Sequence, residues 1–121
     1  MKILVVDDSK AMRMIVMRTL RQAGFEGHTI VEAENGVQAL QSIQAGAPDL
    51  ILCDWNMPEM NGLELLMKLN AEGKKIKFGF VTSEANPEMK EKATSNGALF
   101  LIGKPFTAEA FQQVLQPVLA G

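Results

Sequence analysis

Four apolar runs of strand length each end on a polar residue suited to phosphate chemistry. Asp7 and Asp8 follow Ile3-Leu4-Val5-Val6, Asp54 follows Leu50-Ile51-Leu52-Cys53, Thr82 follows Phe78 to Val81, and Lys104 follows Leu99 to Gly103. The runs are nearly continuous in apolar character rather than alternating, which is the pattern of strands covered on both faces. Such strands belong to parallel sheets, whose crossover helices pack on either side. With a further run at Thr29 to Val31, the predicted strands are Ile3 to Val6, Thr29 to Val31, Leu50 to Cys53, Phe78 to Val81 and Leu99 to Ile102, separated by longer segments of helical period. If these strands run parallel, all the polar ends arrive at one edge of one sheet, where open α/β folds bind their ligands. The expected architecture is α/β, a doubly wound five-stranded parallel sheet of order 2-1-3-4-5 with five helices on both faces.

Local chemistry at the helix ends supports this parse, because the first amides of a helix lack partners and a short polar side chain can accept from them. Asn35 followed by Gln38, and Asn61 followed by Glu64, have capping-box spacing, in which the later side chain reaches back to the cap residue's own amide. Asn86 precedes Pro87, whose fixed φ suits the first helical position, and Thr107 precedes the last helix with Glu109 well placed against its dipole. Gly24, Gly46, Gly73 and Gly97 fall where helices would stop in a left-handed residue. Pro117, in the last turns of the final helix, is expected to kink or fray it.

A chain of 121 residues fits one domain spanning 1–121, with no effector domain expected. The net charge of −2 and the lack of a dense Lys/Arg run argue against nucleic-acid and membrane-surface binding, which need a concentrated basic patch. Proteins and small ions are the expected partners, and a monomer the expected state. The single cysteine, Cys53, allows no internal disulfide and suits a reducing compartment. No apolar stretch is long enough to cross a bilayer, and Asp7-Asp8 cut the N-terminal run too early for a secretory signal, so a cytoplasmic location is expected.

Three clustered carboxylates are costly, since two unit charges about 4 Å apart repel by about 4 kcal/mol at an effective dielectric of 20. A hard divalent cation among them is implied, and a site with few carboxylates and room for water suits Mg²⁺. Asp7 and Asp8 form its expected cradle, Asp8 binding directly and Asp7 through water. Asp54, at the end of the central strand, can act as a nucleophile, because carboxylates form acyl phosphates and a cation neutralises the oxygens of the transferring group. Thr82 would donate its hydroxyl to one phosphoryl oxygen and the Lys104 ammonium would pair with another. Lys104 precedes Pro105, where a cis peptide bond is expected.

These residues, in this order, make the chain resemble the receiver domain of two-component response regulators, and within them the single-domain chemotaxis CheY type, from Lys2 to about Leu119. Its anchors are Val5-Val6-Asp7-Asp8-Ser9, Asp54-Trp55-Asn56-Met57-Pro58-Glu59-Met60-Asn61-Gly62, Val81-Thr82-Ser83-Glu84 and Lys104-Pro105-Phe106. The resemblance implies a flavodoxin-like fold and Asp54 as phosphoacceptor. It implies a Mg²⁺ site of Asp7, Asp8, Asp54 and the Asn56 backbone carbonyl, with Thr82 and Lys104 as the switch pair. Asn56 and Glu84, two residues past the acceptor and the switch hydroxyl, match the short-lived chemotaxis type. By the same resemblance a histidine kinase is the phosphodonor, and the domain catalyses its own phosphorylation and dephosphorylation without being a turnover enzyme on a separate substrate. Output would come from a protein target such as a flagellar motor switch component, bound on the fourth helix, fifth strand and fifth helix, about Asn86 to Leu119, with a phosphatase as a further partner. The alternative is a phosphorelay intermediate that passes its phosphoryl group to a histidine phosphotransfer protein. One position departs: the aromatic residue usual three before the lysine is Leu101, and Phe100 next to it should face the other way.

Two other function classes fit less well. A dehalogenase-type phosphatase would need an acid two residues past the nucleophile, where Asn56 stands. A flavin or nucleotide carrier would need a Gly- or Ser/Thr-rich phosphate loop after the first strand, where Asp7-Asp8 would repel phosphate. Cys53 is expected to be a small buried apolar residue, and His28 to cap a strand entry. Met12, Met14 and Met17 should divide between core and surface, and Trp55 should be half exposed beside the pocket.

Overall fold

The computed structural model describes the backbone of residues 1–120 and the side chains of residues 1–119. Strands and helices alternate throughout: β1 (Lys2–Val6), α1 (Lys10–Gln22), β2 (Thr29–Ala33), α2 (Gly36–Ala45), β3 (Leu50–Cys53), α3 (Gly62–Ala71), β4 (Lys77–Thr82), α4 (Pro87–Ser95), β5 (Phe100–Gly103) and α5 (Ala108–Ala120). The five strands pair in parallel in the order β2-β1-β3-β4-β5, as expected. Strand order reverses between β1 and β3, so the crevice at their C-terminal ends is the switch point where such folds place their ligands.

Alternate residues of each strand feed two separate cores. Leu4, Val6, Ile51, Cys53, Phe78 and Phe80 pack under α2, α3 and α4 through Ala39, Ile43, Leu65, Leu69 and Ala93. Ile3, Val5, Leu50, Leu52, Val81 and Ile102 face the other way, against Val16 and Leu20 of α1 and Phe111 and Leu115 of α5. Burial on both faces is why the strand sequences read as unbroken apolar runs. Leu101 packs with the first core and Phe100 with the second, so the two face opposite ways as their neighbouring positions require.

Element edges differ from expectation where polar residues join the ladder. β2 continues through Glu32 to Ala33 because it pairs with the whole of β1, Val5 opposite Glu32 and Val6 opposite Ala33. β4 takes in Lys77 and Thr82, and β5 begins at Phe100, leaving Leu99 half exposed before it. At the end of α1, Gly24 has φ 95°, Gly24 N donates to Arg21 O and Phe25 N to Leu20 O. Those two bonds close a helix on a left-handed residue, and Gly73 and Gly97 repeat the pattern after α3 and α4. Gly46 does not: its φ of 179° is ordinary extended backbone, and its carbonyl accepts from Lys2 Nζ at 2.8 Å.

The capping box at Asn61 is complete, with both reciprocal bonds to Glu64. At Asn35 only half forms. Gln38 N donates to Asn35 Oδ1, but the Gln38 side chain reaches one residue further back, accepting from the amide of Glu34 and donating to its carboxylate. Asn86 and Thr107 each cap their helices as expected, at 2.8 and 3.1 Å. Pro117 lies inside α5, which continues past it to Ala120.

Candidate functional site

The sheet ladder runs one residue past the ends of β1 and β3. Asp7 N donates to Ala33 O at 3.1 Å and Asp54 N to Val6 O at 2.9 Å, and across the sheet Lys104 N donates to Thr82 O at 2.8 Å. The backbone thus carries Asp7, Asp54, Thr82 and Lys104 to the same edge. Carboxylate oxygens of Asp7, Asp8 and Asp54 lie within 4.8 Å of one another. Asp7 and Asp54 are buried, and Asp8 is exposed. Lys104, the residue after β5, places Nζ 3.2 Å from Asp7 Oδ2 and 3.6 Å from Asp54 Oδ1, and its peptide bond to Pro105 is cis. Thr82, fully buried at the end of β4, accepts from Glu84 N at 3.2 Å. Asn56 and Glu84 are both exposed.

The two acids of the β1 edge differ in how they are held. Asp7 Oδ1 accepts from Ser9 N at 2.9 Å and Oδ2 faces Lys104, so both its oxygens are engaged by the protein. Asp8 is exposed, with a carboxylate oxygen within 4.8 Å of those of Asp7 and Asp54. Hard oxygen donors gathered this closely fit a small divalent cation that keeps part of its water. Electrostatics agree. Burial raises the Asp54 carboxyl above its ordinary value; Lys104 offsets this in part, Asp7 raises it further, the Trp55 N–H lowers it, and Asp8 adds a last increment upward.

That balance has a stability consequence of definite sign. With the folded-state pKa of Asp54 above its unfolded value, folding is favoured more while Asp54 is protonated, and stability falls as pH rises from the ordinary carboxyl range through the raised folded value. Without divalent cations, the Asp54→Asn variant should therefore be more stable than the parent chain at neutral pH by on the order of 1 kcal/mol. Urea unfolding measured from about pH 4 to 7 checks this: the gap should open with rising pH, and a constant gap would contradict the cause given.

Trp55 corrects an expectation. Only 8% of it is exposed, and its ring lies 4.7 Å from that of Phe80 beneath the site. The loop after β3 folds back on itself, Gly62 N donating to Trp55 O at 2.8 Å, and this covers a side chain that a loop position alone would leave open. Cys53 is buried, as expected; burial, then the charges of Asp54 and Asp7, push its thiol well above the ordinary range. His28 precedes β2 half buried, its Nδ1 without a hydrogen-bond partner among the described residues. Met14 is exposed while Met12 and Met17 are partly covered.

One residue beside the site was not anticipated. Arg13 on α1 is 8% exposed, donating from Nη1 to Asp7 O at 2.7 Å and from Nε to Glu32 Oε1 at 2.9 Å. Its signal was its spacing with Val16 and Leu20: a charged residue on the buried stripe of a helix needs a specific partner. A surface cavity of about 340 Å³ lies elsewhere, lined by Leu66, Leu69, Ile76, Leu99 and three lysines at the N-terminal edge of β4.

A sheet edge that gathers three acids, a buried hydroxyl and a lysine at a switch point finds its counterpart in known proteins. The family described as response regulator receiver domain matches residues 3–116. The chain belongs to that receiver family. It is 42% identical to chemotaxis protein CheY1 of Helicobacter pylori over 98% of this chain and 97% of that one. It is 39% identical to chemotaxis protein CheY-3 of Vibrio cholerae, covering 98% of this chain and 91% of the relative. Among solved structures, chemotaxis protein CheY4 of Vibrio cholerae superposes with a TM-score of 0.84 at 34% identity, covering 97% of each chain. The receiver domain of NarL from Mycobacterium tuberculosis superposes at 0.86 with 26% identity, covering 99% of this chain and 96% of that one. Receivers of the CheY type are signalling proteins rather than turnover enzymes. No helix of the described residues is long and apolar enough to cross a membrane.

Proposed function

We propose that this receiver accepts a phosphoryl group on Asp54 from a histidine kinase, with Mg²⁺ held by Asp7, Asp8, Asp54 and the Asn56 carbonyl, and so changes its affinity for a protein target in chemotaxis. The observation that carries the reading is the convergence of three carboxylates within 4.8 Å, with Lys104 Nζ between Asp7 and Asp54. An Asp54 carboxylate oxygen attacks the phosphorus of a phosphohistidine, the P–N bond breaks, and the imidazole leaves with its electron pair and takes up a proton. Mg²⁺, when bound, neutralises charge on the phosphoryl oxygens. Asp8, exposed and free of the bonds that occupy Asp7, would hold the cation directly, and Asp7 would act through water. Lys104 exchanges carboxylate partners for a phosphoryl oxygen, and Thr82 turns its hydroxyl toward another, which biases a two-state switch. Leu101 stands where the family usually has an aromatic, so the change beyond Thr82 is transmitted through aliphatic packing.

The protein acts in the cytoplasm as a monomer. Its output is association, with a flagellar switch component as target and a phosphatase to reset it. Chelation of divalent ions, or the Asp8→Asn substitution, should lower phosphoryl incorporation from acetyl phosphate by about tenfold or more. Labelling that is indifferent to both would sink the metal assignment. A pull-down comparing phosphorylated protein with the Asp54→Asn variant tests the target. Phosphorylation-dependent capture of a flagellar switch component is the expected result, whereas capture of a histidine phosphotransfer protein alone would favour a phosphorelay role.

A further inference from the structure

We propose that Arg13 is a positioning residue for the cation site, holding the peptide that joins Asp7 to Asp8. This rests on the reading of those two acids as the cradle of Mg²⁺. β1 ends at Val6, so the carbonyl of Asp7 lies past the ladder, and a buried acceptor in that position needs a donor from elsewhere. Arg13 supplies it from Nη1 at 2.7 Å. Its Nε–H is spent on Glu32 Oε1 at 2.9 Å, an ion pair that fixes the plane of the guanidinium fork.

The geometry closes a loop through β2. Asp7 N donates to Ala33 O, and Glu32, the neighbour of Ala33, anchors the arginine that grips Asp7 O. Both backbone groups of Asp7 are therefore tied to the same edge strand. Because a peptide unit is planar, holding its oxygen also sets the direction in which the next residue departs, here Asp8. Asp7 has further restraints on its carboxylate, from Ser9 N and Lys104, whereas the exposed Asp8 has the peptide plane as its chief constraint. Arginine suits this task and lysine does not, because two N–H groups must point at two acceptors from one rigid plane.

Positioning and simple charge predict opposite signs. A cation beside three carboxylates disfavours Mg²⁺, so if charge alone mattered, removing Arg13 would tighten metal binding. If Arg13 positions the ligands, removing it weakens binding by the 10- to 100-fold that loss of an outer-shell partner brings, roughly.

The test is a Mg²⁺ titration of the full chain by calorimetry, with Trp55 fluorescence as a second readout, on proteins shown by circular dichroism to be folded at the titration temperature. Arg13→Met should bind at least about tenfold more weakly, and Glu32→Gln more weakly by a smaller factor. Thr19→Ala, which removes a buried hydroxyl bond to Ile15 O on the same helix without touching Asp7, should lower the melting temperature and leave Mg²⁺ affinity unchanged. A merely structural role for Arg13 would make Arg13→Met behave like Thr19→Ala. Should Arg13→Met not fold, Arg13→Lys and Glu32→Gln carry the test, both with weakened binding expected. Affinity within about twofold of the parent, or tighter, overturns the proposal while the Asp8→Asn loss keeps the metal reading intact. If the parent chain itself binds no Mg²⁺, both fall together.

Discussion

The Asp54→Asn variant should take up no phosphoryl group from acetyl phosphate or from a phosphorylated kinase, a loss of at least about a thousandfold against the parent chain. An amide lacks the anionic oxygen that makes a carboxylate a nucleophile, and no neighbour can replace it. Asp7 is buried with both oxygens engaged by Ser9 N and Lys104 Nζ, so its attack on phosphorus would need two interactions broken. Asp8 is exposed, and the proposed cation would occupy its carboxylate. The near-isosteric amide should leave the fold in place, and by removing a charge that burial disfavours should stabilise it. Loss of labelling would therefore come with undiminished stability. Intact-mass analysis after incubation with phosphodonor and Mg²⁺ reads the result, and undiminished labelling would move the acceptor away from Asp54.

The largest structural effect is expected from Gly62→Ala, one residue into the helix that follows the acceptor loop. A Cβ at Gly62 would fall inside contact distance of the Asp54 carbonyl oxygen and 2.8 Å from Phe80 Cε1. Neither can yield cheaply. The carbonyl is main chain, and the fully buried Phe80 ring is wedged between Trp55 at 4.7 Å and Phe78 at 5.1 Å. Forcing a methyl group into such packing costs about 3 kcal/mol, which for a domain of this size lowers the melting temperature by roughly 10 °C or more. Because the displaced groups are Asp54 and the ring beneath Trp55, phosphorylation should slow and Trp55 emission should shift. Gly27→Ala, where a Cβ meets nothing within 4 Å, is the control and should stay within about 0.5 kcal/mol of the parent. A Gly62→Ala protein as stable as that control would show that the loop after β3 has room the packing does not reveal.

The pocket was largely legible in the linear order of the chain. Asp7, Asp8, Asp54, Thr82 and Lys104 each follow an apolar run directly, and parallel pairing carries all strand C-termini to one edge, so their meeting follows from topology. Local chemistry also sufficed at Asn61 with Glu64, where the capping box needs only residues three apart. Where a second partner from elsewhere decides the outcome, the reading stopped short. Gln38 chose the amide of Glu34 over that of Asn35, and β2 ran on through Glu32 because β1 offered a partner to pair with.

Trp55 and Arg13 mark the boundary most sharply. A tryptophan in a loop next to a polar pocket has no sequence neighbour that would bury it; Phe80 does so from another strand, once Gly62 lets the loop fold back. Arg13 stands six residues beyond Asp7 and nineteen before Glu32, yet it bonds to both, because α1 crosses over the β1 and β2 ends of the sheet. Strand runs, helix caps and the roster of acids could be read from the chain because they depend on periods of two, three or four residues and on which residue ends each run. Which groups grip those acids, and what lies beneath them, depends on contacts between elements far apart in sequence, and the close packing of the folded interior sets those contacts.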